Sequence, residues 1–254
     1  MEWSDVGLVL GTRRLGESDA LVEVMTRDHG RHLGVVRGGR TKARAAHLQI
    51  GNRLSLVWRA RLDEHLGHFV AEPLDARAAS LMADPIGLNG VQTLAAHLRL
   101  LPERDPHPEL FAALATVLDH VAEPRLFAEL VIRFELAIVD ALGFGLDLAT
   151  CALTGAVADL AWVSPKTGRA AARDAGRPWA DRLLPLPAFL ARGGADDPRD
   201  WGRVAGDDLA AGFRLTAHFL ARNVWEPRGR PPPETRAALV AALLRALDDT
   251  PPAA

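Results

Sequence analysis

The sequence predicts an α+β fold, with a small five-stranded β-barrel over residues 1–75 and a mainly helical region over 76–254. Three observations lead there. The first 75 residues break into short β-branched runs separated by Gly, Asn and Asp turn signals. From about Ala76 the texture changes to Ala- and Leu-rich runs with helical spacing. Residues 27–61 carry nine Lys/Arg against one acid, Asp28, in a chain whose net charge is −2.

The strands are read in order. Val6–Leu10 is a short apolar strand, and Leu21–Thr26 is β-branched and half alternating. Asp28-His29-Gly30 is a turn signal between that run and His32–Val36. Gly38 and Gly39 open a basic loop, Gly51-Asn52 precedes Leu54–Trp58, and His68–Ala71 completes the set. The OB-fold is the common five-stranded arrangement, and an SH3-like barrel fits the pattern as well. Helices are expected over 87–100, 108–121, 125–142, 180–191, 205–222 and 234–248. Leu126, Leu130, Ile132, Phe134, Leu136, Ile138 and Val139 spread around the 125–142 helix, which should be buried on more than one side. Residues 143–178 read as irregular, and 251–254 as a frayed tail.

The bulk numbers bound the function. A chain of 254 residues, 48% hydrophobic, can build one or two domains without disulfide or metal support. The single cysteine, Cys151, cannot form an internal disulfide, which suits a reducing compartment. No apolar run reaches the roughly 18 residues that span a bilayer, and the first residues lack the basic-then-apolar order of a signal peptide. The expectation is a soluble cytoplasmic protein. Net charge alone argues against a nucleic-acid partner, but a basic block in an otherwise acidic chain is a local electrostatic footprint.

That block centres on the loop Arg37-Gly38-Gly39-Arg40-Thr41-Lys42-Ala43-Arg44. Its glycines would let the backbone approach a phosphate, and its four cations would neutralise charge. Read plainly, it is a solvated loop; Arg59 and Arg61, taken as strand-borne on the barrel beside it, tilt the reading toward DNA or RNA. Arg13 and Arg14 are weaker candidates for the same role. Trp58 has an aromatic face that could stack on a base, but its alternation with Leu54 and Leu56 places it in the core. Asp63-Glu64-His65 has acid/base residue types yet reads as a solvated turn, and Leu101–Pro106 as an interhelix turn. There is no phosphate-binding G-x-x-x-x-G-K-[ST] loop, no G-x-S-x-G elbow and no H-E-x-x-H, so no catalytic residue is assigned and a non-enzyme is expected.

Several stretches together resemble the RecO family. They are Leu15–Asp19, Thr26–Gly30, Val36–Arg40, Leu48-Gln49, Arg133–Leu136, Leu142–Leu146, Cys151 and Val163–Gly168, spread from about residue 3 to residue 190. The resemblance implies an N-terminal OB-fold (1–75), then a helical domain (76–254) with a zinc-finger-like insertion at about 143–178. It implies binding of single- and double-stranded DNA and annealing of complementary strands. It further implies action with RecR to load RecA onto strands coated by single-stranded-DNA-binding protein, whose acidic C-terminal tail would dock on the helical domain. Arg133 is the candidate cation for that tail; its plainer reading is an internal pair with Glu129, one helical turn earlier. One departure matters. Many relatives carry four zinc cysteines in two pairs, whereas this chain has Cys151 with Thr154, and the second pair falls near Ala172 and Ala175. No zinc and no other cofactor is expected. The rival reading from the residues is an RNA-binding OB module in RNA maturation or translation, which a preference dependent on the 2′-OH would reveal. A helical hydrolase with a small barrel is a third, and no constellation supports it.

Overall fold

The computed structural model describes residues 1–191 and 201–248. The chain forms two compact units, Met1–Val121 and Ala122–Ala254.

The first unit holds strands β1 (Glu2–Leu15), β2 (Asp19–Thr26) and β3 (Arg31–Val36), a short helix α1 (Lys42–His47), then β4 (Arg53–Arg59) and β5 (His68–Asp75). They close a barrel in the order β1-β2-β3-β5-β4. All neighbours are antiparallel except β3 and β5, which meet in parallel at Val35 and His68. This Greek-key closure is that of the OB-fold, which decides between the two barrels the sequence pattern allowed. Alternation builds the interior: Leu54, Leu56 and Trp58 of β4 point inward and pack with Val22, Val24 and Phe69. Trp58 is fully buried and its indole N–H donates to Leu66 O at 3.1 Å, so it is core and no stacking platform.

β1 is longer than the Val6–Leu10 run predicts. Its first half pairs with β4, from Glu2↔Arg59 to Leu8↔Arg53. A bulge between Val9 and Gly11 then turns the strand, and from Gly11 to Leu15 its recorded partners are on β2 alone. This two-stranded ribbon carries Arg13 and Arg14, and charged residues there hid the strand from a hydrophobicity reading. The barrel ends at Asp75, and α2 (Ala78–Leu81), α3 (Pro85–Leu98) and α4 (Pro108–Asp119) belong to the same compact unit. The Asp84 carboxylate caps α3 through the N–H groups of Ile86 and Gly87.

The second unit is built around α5 (Pro124–Ala141), α7 (Gly206–Leu220) and α8 (Glu234–Asp248). α5 is buried on several sides, as its pattern requires, and among its buried residues are Glu129 and Glu135. Arg236 of α8 grips Glu135 with two N–H donors at 2.7 and 2.8 Å, and the Thr216 hydroxyl of α7 donates to the same carboxylate. α7 runs on into one π-helical turn, Ala221–Trp225.

Two expectations fail here. The 143–178 stretch is not wholly irregular: β6 (Leu160–Val163) and β7 (Ala170–Ala172) pair within it, and β8 (Leu184–Pro185) joins the other edge of β6. The helix expected over 180–191 is absent; it is replaced by short 3-10 turns on either side of β8. Pro185 and Pro187 explain this, because each lacks a backbone donor and disfavours a helical residue before it. The tail expected at 251–254 lies outside the described residues.

Candidate nucleic-acid interface

The basic loop and α1 form a ridge on the barrel. Gly38 has φ +60, a left-handed turn that favours glycine, and its N–H donates to the Asp19 carboxylate at 2.8 Å. That hydrogen bond is the largest cause holding Asp19 below the usual carboxylate range. Gly39 serves packing instead: a Cβ there would sit 2.8 Å from Ala20 Cβ and 2.9 Å from Val36 O. Both glycine N–H groups are thus spent inside the protein, that of Gly38 on Asp19 and that of Gly39 on Val36 O, and neither is left open toward a phosphate. The end of the loop is helical, from Lys42 to His47, which the turn-like sequence did not suggest.

Six of the eight predicted cations divide between the flanks of this ridge. On one side a groove of about 200 Å³ is lined by Arg13 and Arg14 of the β1 ribbon, by Arg40 and by Gln49. The Arg40 guanidinium donates to Gly16 O and Glu17 O, which fixes it against the β1–β2 turn. On the other side a groove of about 510 Å³ is lined by Arg37, Arg44, Arg59 and His68, over a floor that includes Val36, Phe69 and Val70. Arg44 donates to Arg37 O there. Lys42 is exposed at the start of α1, and Arg61 is exposed in the β4–β5 connection.

Electrostatics separates the two grooves. Arg59 is paired with Glu2 at 2.8 Å, and the pair lowers the Glu2 pKa and raises that of Arg59. Glu72 also lines the second groove. Among the lining residues of the first groove there is no carboxylate. Arg14, a weaker candidate from sequence, thus stands with Arg40 in the more strongly cationic setting; Arg13 borders that groove and also the neighbouring pocket lined by Glu23 and Glu103, and Arg59 is partly neutralised.

Sequence reasoning missed what lies over the outer face of β2 and β3. Glu23 of β2 accepts from Arg31 Nη1 at 2.8 Å and from Arg99 Nε at 2.7 Å. Arg31 also reaches Leu101 O, and the Arg104 N–H donates to Arg31 O. The Arg104 guanidinium donates to Asp63 O and to His65 O and lies 5.8 Å from the Trp58 ring. The 101–106 segment is therefore more than an interhelix turn: it bridges β3 to the β4–β5 connection that carries Arg61. Arg104 has φ 63, rare for a residue with a Cβ, and no sequence signal marks that. Nearby, Trp3 stacks on His29 at 4.0 Å, and His32 is buried with its pKa pushed down to about 4 by desolvation.

In the second unit, Arg133 makes the internal pair with Glu129 that is one of its two expected roles. Its guanidinium donates to Glu129 Oε1 at 3.0 Å and to Phe189 O at 3.0 Å, and it lies over the rings of Phe189 and Trp201. Glu129 is wholly buried and also accepts the Gly202 N–H. Cys151 is buried against β7, where its sulfur accepts the Ala172 N–H at 3.2 Å. Burial raises the thiol pKa, but hydrogen bonds from the Thr154 hydroxyl and the backbone N–H groups of Ala172, Leu153 and Thr154 outweigh it and bring it to about 7. Backbone amides do this without any cation, which is why no neighbour in the sequence announced it. The donor set does not fit zinc: Cys151 is the one thiol, and Thr154, Ala172 and Ala175 occupy the other three positions the spacing assigns, where a structural site needs four ligands. Among the described residues no cluster of three or more His, Cys, Asp or Glu could hold a metal, and no helix is long and apolar enough to cross a membrane.

Comparison with known proteins bears on the whole chain. The profile described as Recombination protein O N terminal matches residues 1–77, and that described as Recombination protein O C terminal matches residues 95–231. The chain belongs to the RecO family. It is 57% identical over 249 residues to the DNA repair protein RecO of Chelativorans sp. (strain BNC1), covering 98% of each chain. It is 55% identical to that of Mesorhizobium japonicum, over 96% of this chain and 94% of the relative, and 50% identical to that of Brucella abortus, over 98% of each. The RecO N-terminal match ends two residues after the last barrel strand. In this RecO-family chain the cationic ridge and both grooves therefore lie within the N-terminal match.

Proposed function

We propose that this RecO-family chain acts in DNA repair by binding single- and double-stranded DNA on the cationic rim of its OB barrel and annealing complementary strands. With RecR it would help load RecA onto strands coated by single-stranded-DNA-binding protein, whose acidic tail docks on the second unit. Its setting would be the bacterial cytoplasm, at the nucleoid. The observation that carries the reading is the gathering of Arg13, Arg14, Arg37, Arg40 and Arg44 on the flanks of one ridge.

The mechanism is electrostatic and breaks no covalent bond. Arginines along a backbone displace its condensed counterions and lower the repulsion between two strands, so pairing is faster. The ridge offers guanidinium groups rather than a recognition helix, so the contacts position phosphates and read no sequence. Because Arg133 is tied to Glu129 and Phe189, a partner tail would have to displace those bonds or use other cations.

An annealing assay tests the proposal. Complementary strands pre-coated with single-stranded-DNA-binding protein should pair faster with the protein than without it, and faster still when RecR is added. Equal rates with and without the protein, on bare and coated strands alike, would reject it. RNA strands of the same sequence, annealed preferentially, would favour the RNA-binding reading instead.

A further inference from the structure

The placement of the cations raises a question that charge alone does not: why are they split by a ridge? A single-strand site of the usual kind is one continuous groove along which the backbone runs. Here α1 and the loop before it interrupt the surface. Arg44 of α1 lines one groove and the adjacent Ala45 the other, with Leu48 and Gln49, three and four residues on, beside Ala45. That spacing puts 45, 48 and 49 on one side of the ridge and turns Arg44 away from them. Within the loop the division repeats, with Arg37 to one side and Arg40 to the other.

We propose that each chain binds two single-stranded polynucleotides at once, one phosphodiester backbone on each flank of the ridge. This rests on the DNA-binding reading above and assigns the two grooves to two strands. The first groove, with Arg13, Arg14 and Arg40 and no carboxylate in its lining, holds its strand by charge. The second, in which Arg59 is neutralised by Glu2 and Glu72 adds an acid, holds its strand more weakly by charge. Of its apolar lining, Val70 is exposed and offers contact to bases, while Val36 and Phe69 belong to the barrel core.

Titration with a labelled oligothymidylate, which cannot pair with itself, counts strands per chain. Three variants are compared with the unaltered protein: Arg13→Glu with Arg14→Glu, Arg37→Glu with Arg44→Glu, and Arg245→Glu as a charge control on the exposed face of α8. The four groove positions are exposed, and matching Arg→Gln variants keep the test open if a charge reversal fails to fold. The expected result is two strands per unaltered chain and one per chain in either groove variant. Annealing of complementary strands should fall at least tenfold in both groove variants and hold in the control. The first-groove variant should keep the strand with the flatter salt dependence. One strand per unaltered chain, weakened by both groove variants, would overturn the two-strand assignment and leave the DNA-binding reading standing. Groove variants that bind and anneal like the unaltered protein would overturn both.

Discussion

Arg133 offers the sharpest test in the second unit, because its two readings predict opposite losses. Arg133→Met keeps the length of the side chain and removes the guanidinium. The change deletes two hydrogen bonds to Glu129 Oε1, at 3.0 and 3.2 Å, and one to Phe189 O at 3.0 Å. Glu129 is then left fully buried with, among the described residues, the Gly202 N–H as its remaining donor. Removing one partner of a buried ion pair costs about 3–5 kcal/mol. The Arg133 side chain is 27% exposed, so water screens the pair and the lower end, about 3 kcal/mol, applies. Urea unfolding followed by tryptophan fluorescence measures this directly. Arg133→Met with Glu129→Leu, which removes the stranded charge as well, should recover a large part of the loss. The companion measurement is titration of an acidic, aromatic-ended peptide. If the internal pair is the role of Arg133, peptide affinity at full folding changes less than about threefold. A stability loss under about 1 kcal/mol together with a tenfold loss of peptide affinity would refute this and return Arg133 to the partner site.

Three further outcomes follow from the geometry. The unfolded chain would carry His32 at its ordinary 6.5, against about 4 when folded; stability is therefore full above about pH 6.5 and falls, by up to ~3 kcal/mol, as pH drops toward 4. His32→Phe should flatten that slope in chemical denaturation across a pH series, and an unchanged slope would clear His32. Asp19→Ala removes the acceptor of the Gly38 N–H and should lower single-strand affinity severalfold even though it makes the site more cationic; tighter binding would show that charge outweighs the shape of the loop. With one thiol among the four zinc positions, elemental analysis should find well under one zinc per chain, and Cys151→Ala should stay folded in the presence of chelator.

What the sequence made legible was periodicity. The alternation of Leu54, Leu56 and Trp58 announced β4, and the apolar surround of 125–142 announced a buried α5. The same logic failed where structure is held by features without a period. The β1 ribbon beyond Val9 is charged on its surface and survives through its ladder with β2. The 180–191 stretch, read as a helix, is stopped by Pro185 and Pro187. For the site, residue type identified the cations but not their neutralisation: Glu2 lies 57 residues before Arg59, and only strand pairing brings them face to face. Arg13 and Arg14 ranked low because nothing local placed them beside Arg40. Arg99 and Arg104 were invisible for the same reason, since their partners Glu23, Asp63 and His65 are tens of residues away.

Those last contacts also bear on where a strand can run. The usual OB-fold surface is the outer face of β2 and β3 with the β1–β2 and β4–β5 loops. Here that face carries the Glu23 carboxylate at its centre, and Arg31 and Arg99 are already engaged with it. Gly11 at the β1 bulge is part of the same arrangement: a Cβ there would lie 2.7 Å from Arg99 Nη2, which donates to Leu10 O. A phosphate entering would meet an acid and would have to break charge-assisted bonds to gain a cation. The ridge presents the opposite situation. Arg13, Arg14 and Lys42 are exposed there, with no ion pair recorded for any of them among the described residues. The barrel has thus turned its helical neighbours onto the customary face and left its free positive charge at the β1 ribbon and α1. That difference in available charge, rather than the number of arginines on each surface, is the physical reason for placing the strands along the ridge.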